Sequence, residues 1–311
     1  MNNSMEPKEN VSMKDYTTFK IGGRATYFFE IENEKDLKTA IDFSSDKSLP
    51  FFILGNGSNL LVSDNGFDGV VIKISGSDVF KEDNSIYAQA GVLLSSLVRF
   101  AFGESVSGFE WAAGIPGTVG GAIRGNAGAF DSSMADIVKE VDVFDLKEKK
   151  LITIENRDCD FDYRSSLFKK NGSLVILSAK MKITKGEQKE IKKRIDDNLD
   201  YRKEKHPSEP SAGSVFKGVT LSEVDRKKIV QKWPDVERFD DMIPAAFLID
   251  KCGLKGEVSG QAMISKKHPN FIINTGEATA KDVLNLIGVV KERVKDFCDI
   301  SLEEEISYLG F

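Results

Sequence analysis

Residues Gly114 to Phe130, GIPGTVGGAIRGNAGAF, constrain the fold more than any other stretch. Six of these 17 residues are glycine, against 26 of 311 in the whole chain, and Arg124 carries the one charge. A flexible linker would waste Ile115, Pro116, Val119, Ile123 and Phe130, so the stretch belongs inside a folded body. Glycine tolerates positive φ and lets the backbone come close to a neighbour. The stretch reads as a pocket lined by inward N–H groups, large enough for a cofactor. The alternative is a tightly wound core turn with no ligand, because glycine-rich motifs have false positives.

Composition narrows the class. A chain of 311 residues has room for two domains of about 100–200 residues each. With 41% hydrophobic and 30% charged residues it has the balance of a soluble globular protein. The formal net charge of −6 argues against a general nucleic-acid surface, while local basic sites can still meet an anionic substrate. Cys159, Cys252 and Cys298 form neither a CxxC nor a metal spacing, so no metal is expected, and so sparse a set suits a reducing compartment. The N-terminus lacks the apolar run of a signal peptide, and no segment approaches the about 18 consecutive apolar residues of a membrane span. The expectation is a cytoplasmic protein with no membrane or nucleic-acid partner.

In chain order, residues 1–17 are polar and expected to be loose, and Thr18 to Gly23 form a short apolar anchor. Residues 25–31 read as a strand, and Asn33 can cap a helix over about 34–46 with Leu37, Ala40 and Ile41 on one face. Phe51 to Leu54 is a buried strand that runs into Gly55-Asn56-Gly57-Ser58-Asn59. Small residues at such a junction expose successive N–H groups, and concavities of that kind bind anions. Ser58 and Asn59 add side-chain donors. A pyrophosphate is the natural guest, although the loop matches neither the dinucleotide fingerprint nor the P-loop. The alternative is an ordinary Asn-Gly turn.

Strands follow at 69–74 and 85–90, then a helix over about 93–103 with Leu94, Leu97, Val98 and Phe102 on one face. A hairpin is expected at 141–146 and 151–154, and a long strand at 174–183. Residues 185–205 are highly charged, with Ile191, Ile195 and Leu199 at four-residue spacing, and read as a surface helix leading to a second domain. Thr220 and Glu223 form a capping box for a helix to about Lys232, and Pro244 and Gly253 bracket another. Asn270 to Asn274 is a strand, and Thr279 caps a helix with Val283, Leu286, Ile287, Val290, Val294 and Phe297 on one face. Residues 302–306 carry Glu303, Glu304 and Glu305; as a strand, their period of two would turn Glu304 away from its neighbours.

Taken alone, Arg164 in FDYRSS fits a surface arginine, and Ser214 in SAGSVFK fits a turn serine. With only His206 and His268 and no GxSxG, a hydrolase triad is poorly supported. Glutamate runs are mostly solvated faces. Together, TTFKIGG, LGNGSNLLVSD, AGIPGTVGGAIRGNAGAF, YRSS, PSAGSVFK, LIDKCGLKG, SKKHPNFIINTGEATAKDVLNLI and LEEEISYLG stand in an order that resembles the UDP-N-acetylenolpyruvoylglucosamine reductase (MurB) family. The resemblance runs from about Phe19 to Gly310. No large insertion precedes the C-terminus, which is similar to the shorter, type II form.

The resemblance implies an α+β chain. A two-part FAD-binding domain of the PCMH, or vanillyl-alcohol-oxidase, type would occupy 19–185, with subdomains at about 19–75 and 76–185, after an N-terminal extension at 1–18. A linker helix and a smaller α+β substrate domain would occupy 186–311. It also implies non-covalent FAD, NADPH as electron donor, and UDP-N-acetylglucosamine enolpyruvate as substrate, in peptidoglycan precursor synthesis. Gly55, Asn56, Gly57, Ser58 and Asn59 would cradle the pyrophosphate. Gly114, Pro116, Gly117, Thr118, Gly120, Gly121, Asn126, Ala127 and Gly128 would lie along the isoalloxazine and ribityl chain.

Arg164, Ser214 and Glu305 match the family's catalytic positions. Arg164 and a protonated Glu305 would stabilise an enolate, and Ser214 would protonate the adjacent carbon. A serine hydroxyl is too weak an acid unaided. Lys217 is the candidate to compensate it, or to bind the substrate diphosphate, and Tyr163 is a further candidate for substrate contact. The pattern departs at Gly218, where the family often has asparagine, at Gln261 in place of a glycine, and at His206 in place of a glutamine. Two other functions stay open: another flavin oxidoreductase of the same fold, such as an alcohol oxidase, and a non-catalytic nucleotide-sugar-binding relative. The first often attaches FAD through His or Cys, and neither lies between residues 1 and 158. The second would lack the catalytic trio.

Overall fold

Local signals account for most of the helices. In this computed structural model, residues 5–220, 222–239 and 242–311 are described, apart from the side chains of residues 223–226, 228 and 238. Helix Glu34–Asp46 starts where the Asn33 side chain accepts Asp36 N–H at 3.1 Å, and it buries Leu37, Ala40 and Ser44. Helix Ala280–Cys298 opens on a reciprocal capping box between Thr279 and Asp282. Its Val283, Leu286, Ile287, Val290 and Val294 are buried, and each such side chain contributes about 1.5–3 kcal/mol relative to exposure. Phe297, expected on that face, lies outside the core and stacks on Trp233, the two rings 6.3 Å apart. The helix Glu223–Lys232 forms, with Thr220 in the short strand before it. The Glu223 side chain of the expected capping box lies outside the described residues, as do residues 1–4.

The chain divides into two compact units. One takes the residues up to Ser12, Arg24–Gly57 and Phe67–Glu204; the other takes Met13–Gly23, Ser58–Gly66 and Lys205–Phe311. The charged helix Gln188–Lys205 thus belongs, up to Glu204, with the first unit rather than with the C-terminal residues.

Two sheets share the core of the first unit. In one, the strand order is Lys8–Ser12, Arg24–Ile31, Phe67–Ile74, Phe51–Leu54; the first pair is antiparallel and the others parallel. The other is wholly antiparallel, in the order Lys150–Glu155, Val138–Asp145, Leu174–Lys182, Ser85–Gln89, Val79–Glu82. Here the N-terminal expectation is corrected. Residues 8–12 are an edge strand and Met13–Tyr16 a 3-10 turn with Met13 buried, because the backbone of Arg24–Ile31 offers a ladder that the polar sequence KENVS does not advertise.

In the second unit, the antiparallel order is Ser211–Ser214, Phe271–Asn274, Ala262–Ile264, Val258–Ser259. Phe19 and Ile21 join its core, as the reading of Thr18 to Gly23 as an anchor requires. The condition set for 302–306, that it be a strand, is not met. That segment makes one bridge, Glu304 to Phe216, and the strand comes later, at Ser307–Leu309, parallel to Leu60–Val62. Among the described residues no helix is long and apolar enough to cross a membrane.

Candidate functional site

The strand Phe51–Leu54 ends in the loop that starts at Gly55. A Cβ there would stand 2.7 Å from Thr118 Oγ1, so only glycine lets the loop rest against the residue that caps helix Val119–Gly125. This packing brings together two stretches that the sequence keeps far apart.

Their amides are used differently. Among the described residues, the N–H groups of Gly55, Asn56 and Gly57 have no acceptor, and neither do those of Gly117 and Thr118. One residue further on, the amides are taken by the chain itself. Val119 N donates to Val92 O at 2.9 Å and Gly120 N to Ala90 O at 2.8 Å, while Gly121 N donates to Thr118 Oγ1 at 3.3 Å. Gly120 is there for closeness, since its Cβ would stand 2.8 Å from that of Ala90. Ala127 N likewise donates to Ala122 O. Within the stretch, Gly117 and Thr118 thus keep open N–H groups, whereas the next three amides are used by the fold.

Asn126 ends this helix in the left-handed region, at φ 42°. Its buried side chain donates to Asp162 O at 2.9 Å and accepts Ala135 N–H at 3.0 Å. With both ends of the amide engaged, Asn126 acts as a brace between the helix and the turn Asp162–Ser165. Ser166 Oγ adds a bond to Arg124 O at 2.7 Å. This brace sets Arg164, whose Nη2 donates to Gly128 O at 3.1 Å and whose guanidinium lies 5.2 Å from the Tyr163 ring centroid. Arg164 is thereby fastened to the far end of the glycine stretch. Arg124 is exposed as a residue, yet burial of its guanidinium lowers its pKa from the ordinary arginine value.

In the second unit, Ser214 closes the strand Ser211–Ser214 and the next three residues are laced to the glutamate segment. Glu305 N donates to Val215 O at 2.7 Å and Lys217 N to Glu303 O at 2.9 Å. Asn59 Nδ2 donates to Glu305 O at 3.1 Å, and Ser307 N to Asn59 O at 2.9 Å. Ser214, Lys217, Glu305 and Asn59 are thus held on neighbouring backbone. The three carboxylates have separate fates. Glu303 pairs with the Lys217 ammonium. Glu304 accepts from Lys291 at 2.7 Å and Tyr308 at 2.5 Å, while Glu305 is half-buried. Burial pushes the Glu304 pKa up, and the hydrogen bonds from Lys291 and Tyr308 more than reverse this, leaving it below the usual carboxylate value.

Two residues with a part in this arrangement escape the sequence reading. Asn270, buried, donates to Phe216 O at 2.8 Å and accepts Phe216 N–H at 2.9 Å, fixing the backbone between Ser214 and Lys217. An asparagine heading the apolar run NFIIN was its signal. The buried indole N–H of Trp111, three residues before Gly114, has no acceptor among the described residues. Buried donors normally find a partner. With the open amides at 55–57 and 117–118, the first unit presents donors suited to a ligand rich in acceptor oxygens. Two of the three departures from pattern have structural uses: Gln261 Oε1 accepts Glu277 N–H at 2.7 Å, and the His206 ring packs 5.0 Å from that of Phe271.

Comparison with known proteins gives two family matches. The model for the C-terminal domain of UDP-N-acetylenolpyruvoylglucosamine reductase matches residues 205–309, and that for an FAD binding domain matches residues 25–154. The chain is 39% identical to a UDP-N-acetylenolpyruvoylglucosamine reductase of Clostridium novyi over 98% of this chain and 92% of that one. It is 40% identical to the protein of that name from Caldanaerobacter subterraneus, over 97% and 93%. Its fold is similar to the crystal structure of the Thermus caldophilus UDP-N-acetylenolpyruvylglucosamine reductase, with a TM-score of 0.78 and 34% identity over 98% of this chain and all of that one.

Proposed function

Because this chain belongs to the UDP-N-acetylenolpyruvoylglucosamine reductase family, an FAD-binding oxidoreductase family, we propose that it reduces UDP-N-acetylglucosamine enolpyruvate to UDP-N-acetylmuramate with NADPH, in peptidoglycan precursor synthesis. The observation that carries this reading is the packing of Gly55 on Thr118, which puts two sets of open amides side by side. FAD, when bound, would supply the hydride relay between NADPH and the methylene carbon of the enolpyruvyl ether.

The chain's own residues do the rest. Gly55, Asn56 and Gly57 hold the pyrophosphate through backbone N–H groups, and Gly117 and Thr118 offer two more. Arg164, steadied by Gly128 O and Asn126, stabilises the negative charge that develops on the carboxylate side of the substrate. Glu305, in its protonated form, is assigned to the substrate as a hydrogen-bond donor. Ser214 gives a proton to the carbon next to the one that receives hydride. Lys217 already faces the carboxylate of Glu303, most of which is exposed. An ammonium so neutralised compensates a serine oxygen poorly, whereas a diphosphate can displace an exposed glutamate, so we assign Lys217 to the diphosphate.

The test is the visible spectrum of the purified protein. A flavin band that bleaches with NADPH and recovers with the enolpyruvyl nucleotide sugar is expected. Acid precipitation should release the flavin, since no His or Cys precedes Cys159 to anchor it. Absence of flavin, or a band that NADPH leaves unchanged, overturns the reading.

A further inference from the structure

The charged helix Gln188–Lys205 has a use beyond its solvated face. Arg194, Asn198 and Arg202 stand four residues apart, and side chains at that spacing share one face. All three reach the 3-10 turn Glu110–Ala112 and the residue after it. Arg194 lies 3.7 Å from the Glu110 carboxylate, and Asn198 Nδ2 donates to Glu110 O at 2.9 Å. Arg202 donates through Nε to Ala113 O at 2.8 Å and through Nη2 to Trp111 O at 3.2 Å. Its guanidinium also lies 5.3 Å from the ring centroid of Phe130, and Tyr201 meets that ring edge-on at 5.4 Å.

The end of a helical turn leaves carbonyls without intrahelical donors. Glu110 O and Ala112 O are met by Ala113 N and Ile115 N. The carbonyls of Trp111 and Ala113, both residues buried, have Arg202 as their partner. Gly114 follows at φ +77°, and a Cβ there would stand 2.8 Å from Arg202 Cδ. One side chain therefore grips the glycine stretch just before it begins, at 111–113, and again at its last residue, Phe130.

We propose that Arg202 is a positioning residue for the cofactor stretch. It clamps the turn 111–114 and Phe130 to the charged helix and so sets the path of the backbone that leads to the open amides of Gly117 and Thr118. This rests on the reading of that stretch as part of the FAD site. The planar fork of arginine serves two carbonyls at once, which the single ammonium of lysine does not reproduce.

The experiment compares Arg202→Met, Arg202→Lys and Asn198→Ala with the parent full-length protein. FAD affinity is read from flavin fluorescence on titrating flavin-free protein, and amide hydrogen exchange of residues 110–118 is read in the flavin-free protein alone. Loss of two charge-assisted hydrogen bonds should weaken FAD binding about tenfold in Arg202→Met. Exchange at 110–118 should rise while the strand Leu174–Lys182 keeps its protection. Arg202→Lys should lose most of the same, and Asn198→Ala about threefold. Folded Arg202→Met with unchanged exchange at 110–118, or with FAD affinity within about twofold of the parent, overturns the proposal. Should Arg202→Met fail to fold, the same criteria apply to Arg202→Lys and Asn198→Ala. A parent protein that binds no FAD overturns the functional reading instead, and the exchange measurement still judges the clamp.

Discussion

At Gly55–Gly57 the backbone leaves its N–H groups open, whereas at Val119–Gly121, just past the residue that Gly55 packs against, every N–H is bonded within the chain. Both stretches contain glycines that tolerate no Cβ, but for different purposes. Gly55 lets a loop rest on a capping hydroxyl; Gly120 lets a helix sit on Ala90 and donate to its carbonyl. One arrangement keeps donors for a ligand and the other uses them for the fold. The second unit works differently again, with backbone lacing that serves to hold side chains, Ser214, Lys217 and Glu305, in register.

The largest effect should come from that second kind of site. Ser214→Ala should slow reoxidation of the reduced flavin by substrate about 10²–10⁴-fold, the usual worth of general acid catalysis, with flavin reduction by NADPH near normal. Ser214→Cys, which keeps an acidic proton, should lose less. Stopped-flow absorbance of each half-reaction decides it, and equal slowing of both would mean that Ser214 only shapes the backbone.

Next in size is Gly120→Ala. Overpacking against Ala90 should destabilise the protein by about 1–3 kcal/mol, seen as a lower urea midpoint. Gly55→Ala should act chiefly on FAD affinity. If the two variants exchange these signatures, the distinction between ligand glycine and packing glycine is wrong.

Thr118→Ala sharpens the same contrast. Loss of the N-cap should cost about 1 kcal/mol of stability. It also removes the oxygen that a Cβ at residue 55 would strike, so Gly55→Ala should be milder in that background. Additive effects in the double-mutant cycle would show that the Gly55–Thr118 contact is not what forbids a side chain.

The smallest expected effect is a pH dependence in the second unit. Glu304 is held below its usual pKa, so it stays ionised in the folded chain at a pH where the unfolded chain already binds a proton. Its contribution is full above the ordinary glutamate value of about 4.3 and fades as pH falls through the folded value. Glu304→Gln should therefore flatten the acid side of the stability profile, measured by urea midpoints at successive pH values. Parallel profiles for the two proteins would remove Glu304 from the account.

Sequence alone determined the elements whose causes are local. Asn33 and Thr279 cap helices because a cap needs only a side chain and the N–H three residues on. The strands read at 51–54, 69–74 and 174–183 follow from apolar runs and are found at Phe51–Leu54, Phe67–Ile74 and Leu174–Lys182. The order of eight motifs sufficed for the family. Tertiary structure decided whatever depends on a distant partner. KENVS became a strand because Arg24–Ile31 offers it an edge, and Ser307–Leu309 is a strand because it finds Leu60–Val62. The use of each glycine was hidden for the same reason. An open N–H and a bonded one have the same sequence, and only the carbonyl that comes to meet Gly120, and does not come to meet Gly55, tells them apart.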